Sequence, residues 1–169
     1  YYLKVEIDGK VFVVTGAGGG VGRELTLALL DQGARVAAVD FREESLAKLR
    51  EITGPQVETF LIDITDKNAV MSLPQLIINR MGRVDGLINN AGISMRSMFE
   101  TVDLTVLKQV MDINFWGTVY ATHAALPYIK AVKGGIIGIS SIAGYRGLPV
   151  RTGYSASKFA MNGFLEALR

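Results

Sequence analysis

The sequence has no cysteine and only one histidine, His123, among its 169 residues. Without cysteine the chain can form no disulfide, no iron–sulfur cluster and no cysteine-ligated zinc site. A single histidine also argues against a histidine-based metal centre. We therefore predict that the protein has no metal site.

An excess of charge of one sign and long apolar runs are also missing. The 18 basic and 16 acidic residues leave a formal net charge of +2, and the basic residues are scattered, so nothing indicates nucleic-acid binding. No apolar run approaches the roughly 20 residues that cross a bilayer. Residues 1–10 alternate apolar and charged side chains, unlike a signal or transit peptide. These absences predict a cytoplasmic protein that binds neither nucleic acid nor membranes.

Short apolar runs alternate along the chain with longer amphipathic ones. The hydrophobic fraction of 49% also excludes an intrinsically disordered chain. The runs predict strands over 11–15, 35–39, 57–62, 84–88 and 136–140. The amphipathic segments predict helices over 20–32, 43–52, 65–80, 103–132 and from about residue 152, with Thr65 as a cap and with Pro74 kinking or interrupting its helix.

This order of elements predicts an α/β fold, a doubly wound parallel sheet with helices on both faces in three layers. The strands are nearly continuous apolar runs, as expected where both faces of a sheet are buried. With no repeat or linker, residues 1–169 form one predicted domain. Because the chain starts at Tyr1 and ends at Arg169 inside a predicted helix, we expect it to be truncated at its C-terminus.

A glycine-rich turn joins the first predicted strand to the first helix. Its pattern is T-G-x-x-x-G-x-G rather than the strict G-x-G-x-x-G spacing. Glycines at a helix N-terminus let the backbone approach a pyrophosphate, although a tight structural turn is the alternative. The candidate phosphate-binding residues are Gly16, Gly19, Gly20, Val21 and Gly22.

Asp40 ends the second predicted strand, 18 residues after Gly22. An acidic residue at about this distance can accept hydrogen bonds from the ribose hydroxyls of NAD, and it would repel the 2′-phosphate of NADP. The nearby Arg42 could weaken that repulsion. The spacing favours NAD over NADP.

Tyr154 and Lys158 lie four residues apart at the start of the last predicted helix, so their side chains share one face. They occur in Tyr-Ser-Ala-Ser-Lys, 13 residues after Ser141, and the chain also carries Asn-Asn-Ala-Gly at residues 89–92. Together with the glycine-rich turn, these motifs resemble the short-chain dehydrogenase/reductase family over nearly the whole chain.

The resemblance implies a Rossmann-type fold, a nicotinamide cofactor and a catalytic tetrad of Asn114, Ser141, Tyr154 and Lys158. Tyr154 would be the general acid/base, Lys158 would favour its phenolate and hold the nicotinamide ribose, Ser141 would polarise the substrate oxygen, and Asn114 would position a proton-relaying water. Further implied cofactor-binding residues are Asp63, Asn90, Ala91 and Gly92.

The implied reaction is NAD-dependent interconversion of a secondary alcohol and a ketone, on a small-molecule substrate. The alternative is a dinucleotide-binding scaffold or redox sensor without turnover. The resemblance also implies a homodimer or homotetramer. On the last helix, an apolar stripe of Phe159, Gly163 and Ala167 would lie against its own copy, unless further strands of the same chain cover it.

Overall fold

Five parallel strands form one sheet in the computed structural model, which describes residues 6–169. They are β1 (Val11–Thr15), β2 (Arg35–Asp40), β3 (Val57–Leu61), β4 (Gly86–Asn89) and β5 (Gly135–Gly138). Their order across the sheet is β3-β2-β1-β4-β5. Apolar and charged residues alternate over residues 1–10, and residues 1–5 of that segment lie outside the described residues.

Six α-helices connect and flank the strands. They are α1 (Gly20–Asp31), α2 (Glu43–Ile52), α3 (Lys67–Met81), α4 (Leu104–Met111), α5 (Gly117–Ala131) and α6 (Thr152–Ala167). Side chains along each strand alternate between the two faces of the sheet, so the core has two parts. Val11 and Val13 pack against α3 and α5 on one face, and Val14 packs against α1 and α2 on the other. The predicted three-layer, doubly wound α/β fold is thereby confirmed.

Helix α3 begins later than the sequence predicts. Asp66, and not Thr65, caps it, since its side chain accepts hydrogen bonds from the backbone N–H groups of Asn68 and Ala69. Thr65 instead donates its N–H and hydroxyl to Asp63. The expected interruption at Pro74 is wrong, because Pro74 is buried inside a continuous helix and its packing offsets the missing backbone donor.

The predicted long helix over 103–132 consists of three segments. A π-helical turn (Asp112–Trp116) separates α4 from α5. Such turns insert one residue into the helix and often mark functional sites. The last two strands are also shifted, since β4 begins at Gly86 rather than at residue 84 and β5 ends at Gly138 rather than at residue 140.

The strand order places a crevice beside the first strand. From β1 the chain proceeds outward to β2 and β3, then returns to pair β4 with the other edge of β1. Ligands of open α/β sheets bind where this reversal separates the loops at the carboxyl ends of the strands. The loops after β1 and β4 meet at that point in this chain.

Candidate active site

The glycine-rich turn after β1 is built around close backbone contacts. Gly16 has a φ of +65°, and a Cβ there would lie 2.9 Å from the Cα of Ala91. A Cβ on Gly22 would lie 2.1 Å from the carbonyl oxygen of Gly16. Only glycine satisfies both positions, so α1 starts directly against the turn and its first N–H groups face the crevice.

Hydrogen bonds join this turn to the loop after β4. The hydroxyl of Thr15 accepts from the N–H groups of Asn90 and Ala91, both at 3.0 Å. The Asn90 side chain donates back to the carbonyl oxygens of Thr15 and Gly16 at 2.9 and 3.2 Å. Two segments that are 75 residues apart in sequence thus form one rigid wall.

Asp40 is almost completely buried at the end of β2. Its Oδ2 accepts from the N–H of Gly18 at 3.0 Å, and its Oδ1 accepts from the N–H of Arg42, also at 3.0 Å. The Arg42 guanidinium lies 3.6 Å from Oδ1. An ionised carboxylate has about four acceptor positions, so these two bonds leave acceptor capacity on Asp40, which lines the cleft described below.

The turn, the β4 loop and the start of α6 enclose a cleft of about 920 Å³. Most of the predicted site residues line it: Gly16, Gly19, Gly20, Val21, Asp40, Asp63, Asn90, Ala91, Gly92, Tyr154 and Lys158. Gly22 lies behind this surface and supports the turn. The volume and the glycine cradle fit an extended dinucleotide.

Tyr154 and Lys158 lie at one end of this cleft. The Lys158 Nζ is 5.9 Å from the centre of the Tyr154 ring and donates to the carbonyl oxygen of Ile139 at 2.7 Å. Lys158 is only 5% exposed, and burial lowers its pKa because it disfavours the ammonium. Keeping Lys158 protonated therefore lowers the free energy of unfolding at every pH below its folded pKa. This cost disappears as pH rises from the folded pKa to the higher unfolded pKa. An anion bound nearby would reduce it.

Asn114 and Ser141 do not line the cleft. Asn114 is fully buried in the π-helical turn, and its amide group bonds both backbone groups of Ile93 and the Ser157 hydroxyl. The Ser141 hydroxyl accepts from the N–H of Ala143 at 3.1 Å, which leaves its own proton free to donate. Their implied roles in catalysis stay predictions.

Two residues that the motifs did not single out organise the site. Thr15 is the first residue of the glycine-rich pattern, and it ties the turn to β4 as described above. Ser157 accepts from the Asn114 amide at 2.9 Å and donates to the Tyr154 carbonyl oxygen at 2.8 Å. It lies inside Tyr-Ser-Ala-Ser-Lys, so the motif contained the signal.

Comparison with known proteins gives a direct assignment. The family model described as short chain dehydrogenase matches residues 10–169. The chain belongs to the short-chain dehydrogenase family. The predicted resemblance to a Rossmann-type family is confirmed.

Individual relatives agree with this family. The chain is 37% identical over 166 residues to "Putative oxidoreductase SadH" of Mycobacterium tuberculosis, covering 96% of this chain and 60% of the relative. It is 39% identical over 166 residues to "11-beta-hydroxysteroid dehydrogenase 1A" of Arabidopsis thaliana, covering 95% and 48%. The chain thus spans about half to 60% of the length of these relatives.

Solved structures of the family superpose closely. The TM-score is 0.91, at 28% identity, with a short-chain dehydrogenase/reductase from Burkholderia phymatum in complex with NAD, over 96% of this chain and 60% of that one. It is 0.90, at 31% identity, with a short-chain dehydrogenase from Streptomyces avermitilis, over 95% and 60%. The family fold therefore extends over nearly all of this chain.

Residues 6–169 contain neither a membrane-spanning helix nor a cluster of metal ligands. None of the helices there combines the length and apolarity needed to cross a membrane. No three potential metal ligands among His, Asp and Glu lie together in the same range.

Proposed function

We propose that the protein is an NAD-dependent oxidoreductase that interconverts a secondary alcohol and a ketone. The observation that carries this proposal is the position of Tyr154 beside the buried Lys158, at one end of a cleft whose other walls form a glycine cradle. When bound there, a nicotinamide cofactor would supply or accept the hydride. The chain's own residues bind, orient and move protons.

Tyr154 is the proposed general acid/base. A phenol ionises only at high pH unless a nearby cation favours the phenolate. Lys158 is the cation that we propose for this role, since its Nζ lies 5.9 Å from the centre of the Tyr154 ring.

Ser141 and Asn114 act around this pair. Ser141 is proposed to donate its O–H to the substrate oxygen, since its oxygen accepts from Ala143 and its own proton has no acceptor among residues 6–169. The Asn114 amide donates both to the Ile93 carbonyl oxygen and to the Ser157 hydroxyl on α6. These bonds hold the first turns of α6, which carry Tyr154, in place. The proposed role of Asn114 in positioning a proton-relaying water would be additional to these hydrogen bonds.

The proposed site residues fit a dinucleotide. Gly16, Gly19, Gly20 and Val21 would hold the pyrophosphate at the α1 N-terminus, with Gly22 giving the helix its close approach. Asp40 would accept from the ribose hydroxyls and Asp63 would lie beside the adenine. The β4 loop, Asn90, Ala91 and Gly92, would form the opposite wall.

We predict that NADH binds more tightly than NADPH. The buried Asp40 carboxylate repels a 2′-phosphate and desolvation strengthens the repulsion, whereas Arg42 is largely exposed and its charge is screened. Fluorescence titration of both cofactors measures the difference. Equal or tighter binding of NADPH would show that Arg42 governs the preference.

The catalytic proposal is tested by adding NADH and then a panel of ketones to the full-length protein. A fluorescence change on binding, followed by consumption of NADH with one ketone class, supports an enzyme. Binding without consumption across the panel would instead favour the dinucleotide-binding scaffold or sensor.

We also propose a homodimer or homotetramer that pairs α6 with its own copy. Phe159 of this helix is 47% exposed, and Leu168, directly after its last residue, is 39% exposed. Phe164 of α6 packs edge-to-face with Phe115 of the π-helical turn, and the adjacent Trp116 is 44% exposed. Gly163 and Ala167 are exposed between Phe159 and Leu168 and would let two helices approach closely.

Replacing Phe159 with glutamate is expected to convert the assembly to monomers, because it would bury two like charges across the two-fold axis. Light scattering on the full-length protein at micromolar concentration measures the mass. Leu76→Glu, on an exposed position of α3, is the matched control and should leave the assembly intact. A monomeric parent protein would contradict the proposal.

The cytoplasm is the proposed compartment.

A further inference from the structure

Two segments meet beside the Tyr154 end of the cleft. One follows β4 and contains Ser94 to Ser97; the other precedes α6 and contains Val150 and Arg151. The N–H of Ser97 donates to the carbonyl oxygen of Val150 at 2.9 Å. The Arg151 Nη1 donates to the Ser94 hydroxyl at 2.5 Å, and Ser94 lines the cleft. Arg151 therefore lies at the edge of the cleft, three residues before Tyr154.

Arg151 has no acidic partner among residues 6–169, since none of the ion pairs found there includes it. Glu100 and Asp103, which follow the facing segment, form no ion pair with it either. Asp103 instead accepts from the N–H of Thr105 at the start of α4. A guanidinium has five N–H donors, and the bond to Ser94 uses one.

The other charged residues that line the cleft are paired with an opposite charge, apart from Lys158 and Asp63. Asp40 lies beside Arg42, and Lys108 pairs with Asp112. Asp63 accepts two hydrogen bonds from Thr65. Lys158 and Arg151 thus place positive charge at the Tyr154 end of the cleft, where a substrate must bind.

The backbone conformation that presents Arg151 is strained. Val150 has a φ of +57°, a region that β-branched residues rarely adopt. Such strain persists where surrounding contacts impose it, and it is found preferentially at functional sites. Here the bond from Ser97 to the Val150 carbonyl holds the turn that directs Arg151 towards Ser94.

We propose that the substrate carries an anionic group, a carboxylate or a phosphate, that binds Arg151 while its alcohol or ketone carbon reaches Tyr154. This rests on the proposed oxidoreductase function. The planar fork of a guanidinium matches two oxygens of either anion, and the bond to Ser94 holds the fork in place. Arg151 is accordingly a specificity-determining residue for the class of substrate.

The test compares matched charged and neutral ketones in the full-length protein with NADH. The carboxylate arm uses 4-oxopentanoate and its methyl ester, and longer oxo acids with their esters; the phosphate arm uses dihydroxyacetone phosphate and dihydroxyacetone. We expect one charged ketone to exceed its neutral partner about tenfold in kcat/KM. Arg151→Gln should abolish this preference by raising KM for the charged ketone while leaving the neutral one unchanged.

Two further variants separate charge recognition from misfolding. Arg151→Lys keeps the charge without the fork and should retain part of the preference. Arg146→Gln removes an exposed arginine from the same segment and should retain all of it. The inference is overturned if the wild type treats both partners of every pair alike, or if Arg151→Gln keeps the difference.

Should no ketone react, the proposed function fails, and calorimetry then decides the inference alone. Binding of 4-oxopentanoate or dihydroxyacetone phosphate to the NADH-loaded wild type that Arg151→Gln loses supports an anion site at Arg151. Equal binding by the two proteins, or none by the wild type, contradicts it.

Discussion

Replacing Tyr154 with phenylalanine is expected to lower kcat by about 10²- to 10⁴-fold, the range that a positioned general acid/base contributes. The substitution removes one oxygen and keeps the ring, so the packing of α6 is preserved. Because the glycine turn, Asp40 and Lys158 remain in place, the dissociation constant of NADH should change little. Steady-state kinetics and fluorescence titration on the full-length protein measure the two quantities.

Two comparisons define what the Tyr154 result means. Lys158→Ala should weaken both turnover and NADH binding, since Lys158 is proposed to hold the ribose as well as to favour the phenolate. Tyr128→Phe, on α5 and packed against the core below the sheet, should leave both quantities unchanged. If Tyr154→Phe kept most of the wild-type kcat, another residue would have to be the base.

The sequence predicted the fold well because its signals are local. Apolar runs, the turn glycines and the helix periodicity each depend on residues within one element, and they placed all five strands and most helices. The errors have local causes too. Thr65 and Asp66 are both able to cap α3, and the structure shows that Thr65 bonds to Asp63, two residues before it, which leaves Asp66 as the cap.

The site was less predictable, since its geometry depends on distant residues. The motifs identified which residues line the cleft, but they did not indicate where each side chain is directed. The Asn114 amide is directed at Ile93 and Ser157, 21 and 43 residues away, and not into the cleft. Likewise, Arg151 gains its position from Ser94 and from the strained backbone of Val150, neither of which belongs to a motif.

Gly22→Ala is expected to destabilise the fold and to abolish dinucleotide binding. A Cβ at this position would lie 2.1 Å from the Gly16 carbonyl oxygen and 2.5 Å from the Asn90 Nδ2. The closest neighbour is backbone held between β1 and α1, so relief of the clash requires α1 to move away from the turn. We expect a loss of about 3 kcal/mol in the free energy of unfolding, since overpacking exceeds the gain of about 1 kcal/mol in helix propensity.

Gly19→Ala in the same turn separates the clash from the mere loss of a glycine. Gly19 has an extended φ of −167°, and its nearest neighbour to a Cβ is an Arg42 nitrogen at 3.8 Å. Alanine fits this position without strain, so the free energy of unfolding should change by no more than about 1 kcal/mol. Urea denaturation of both variants, with NADH titration of Gly22→Ala, measures the contrast. If Gly22→Ala were as stable as Gly19→Ala and still bound NADH, the close approach of α1 to the turn would not be what forms the cradle.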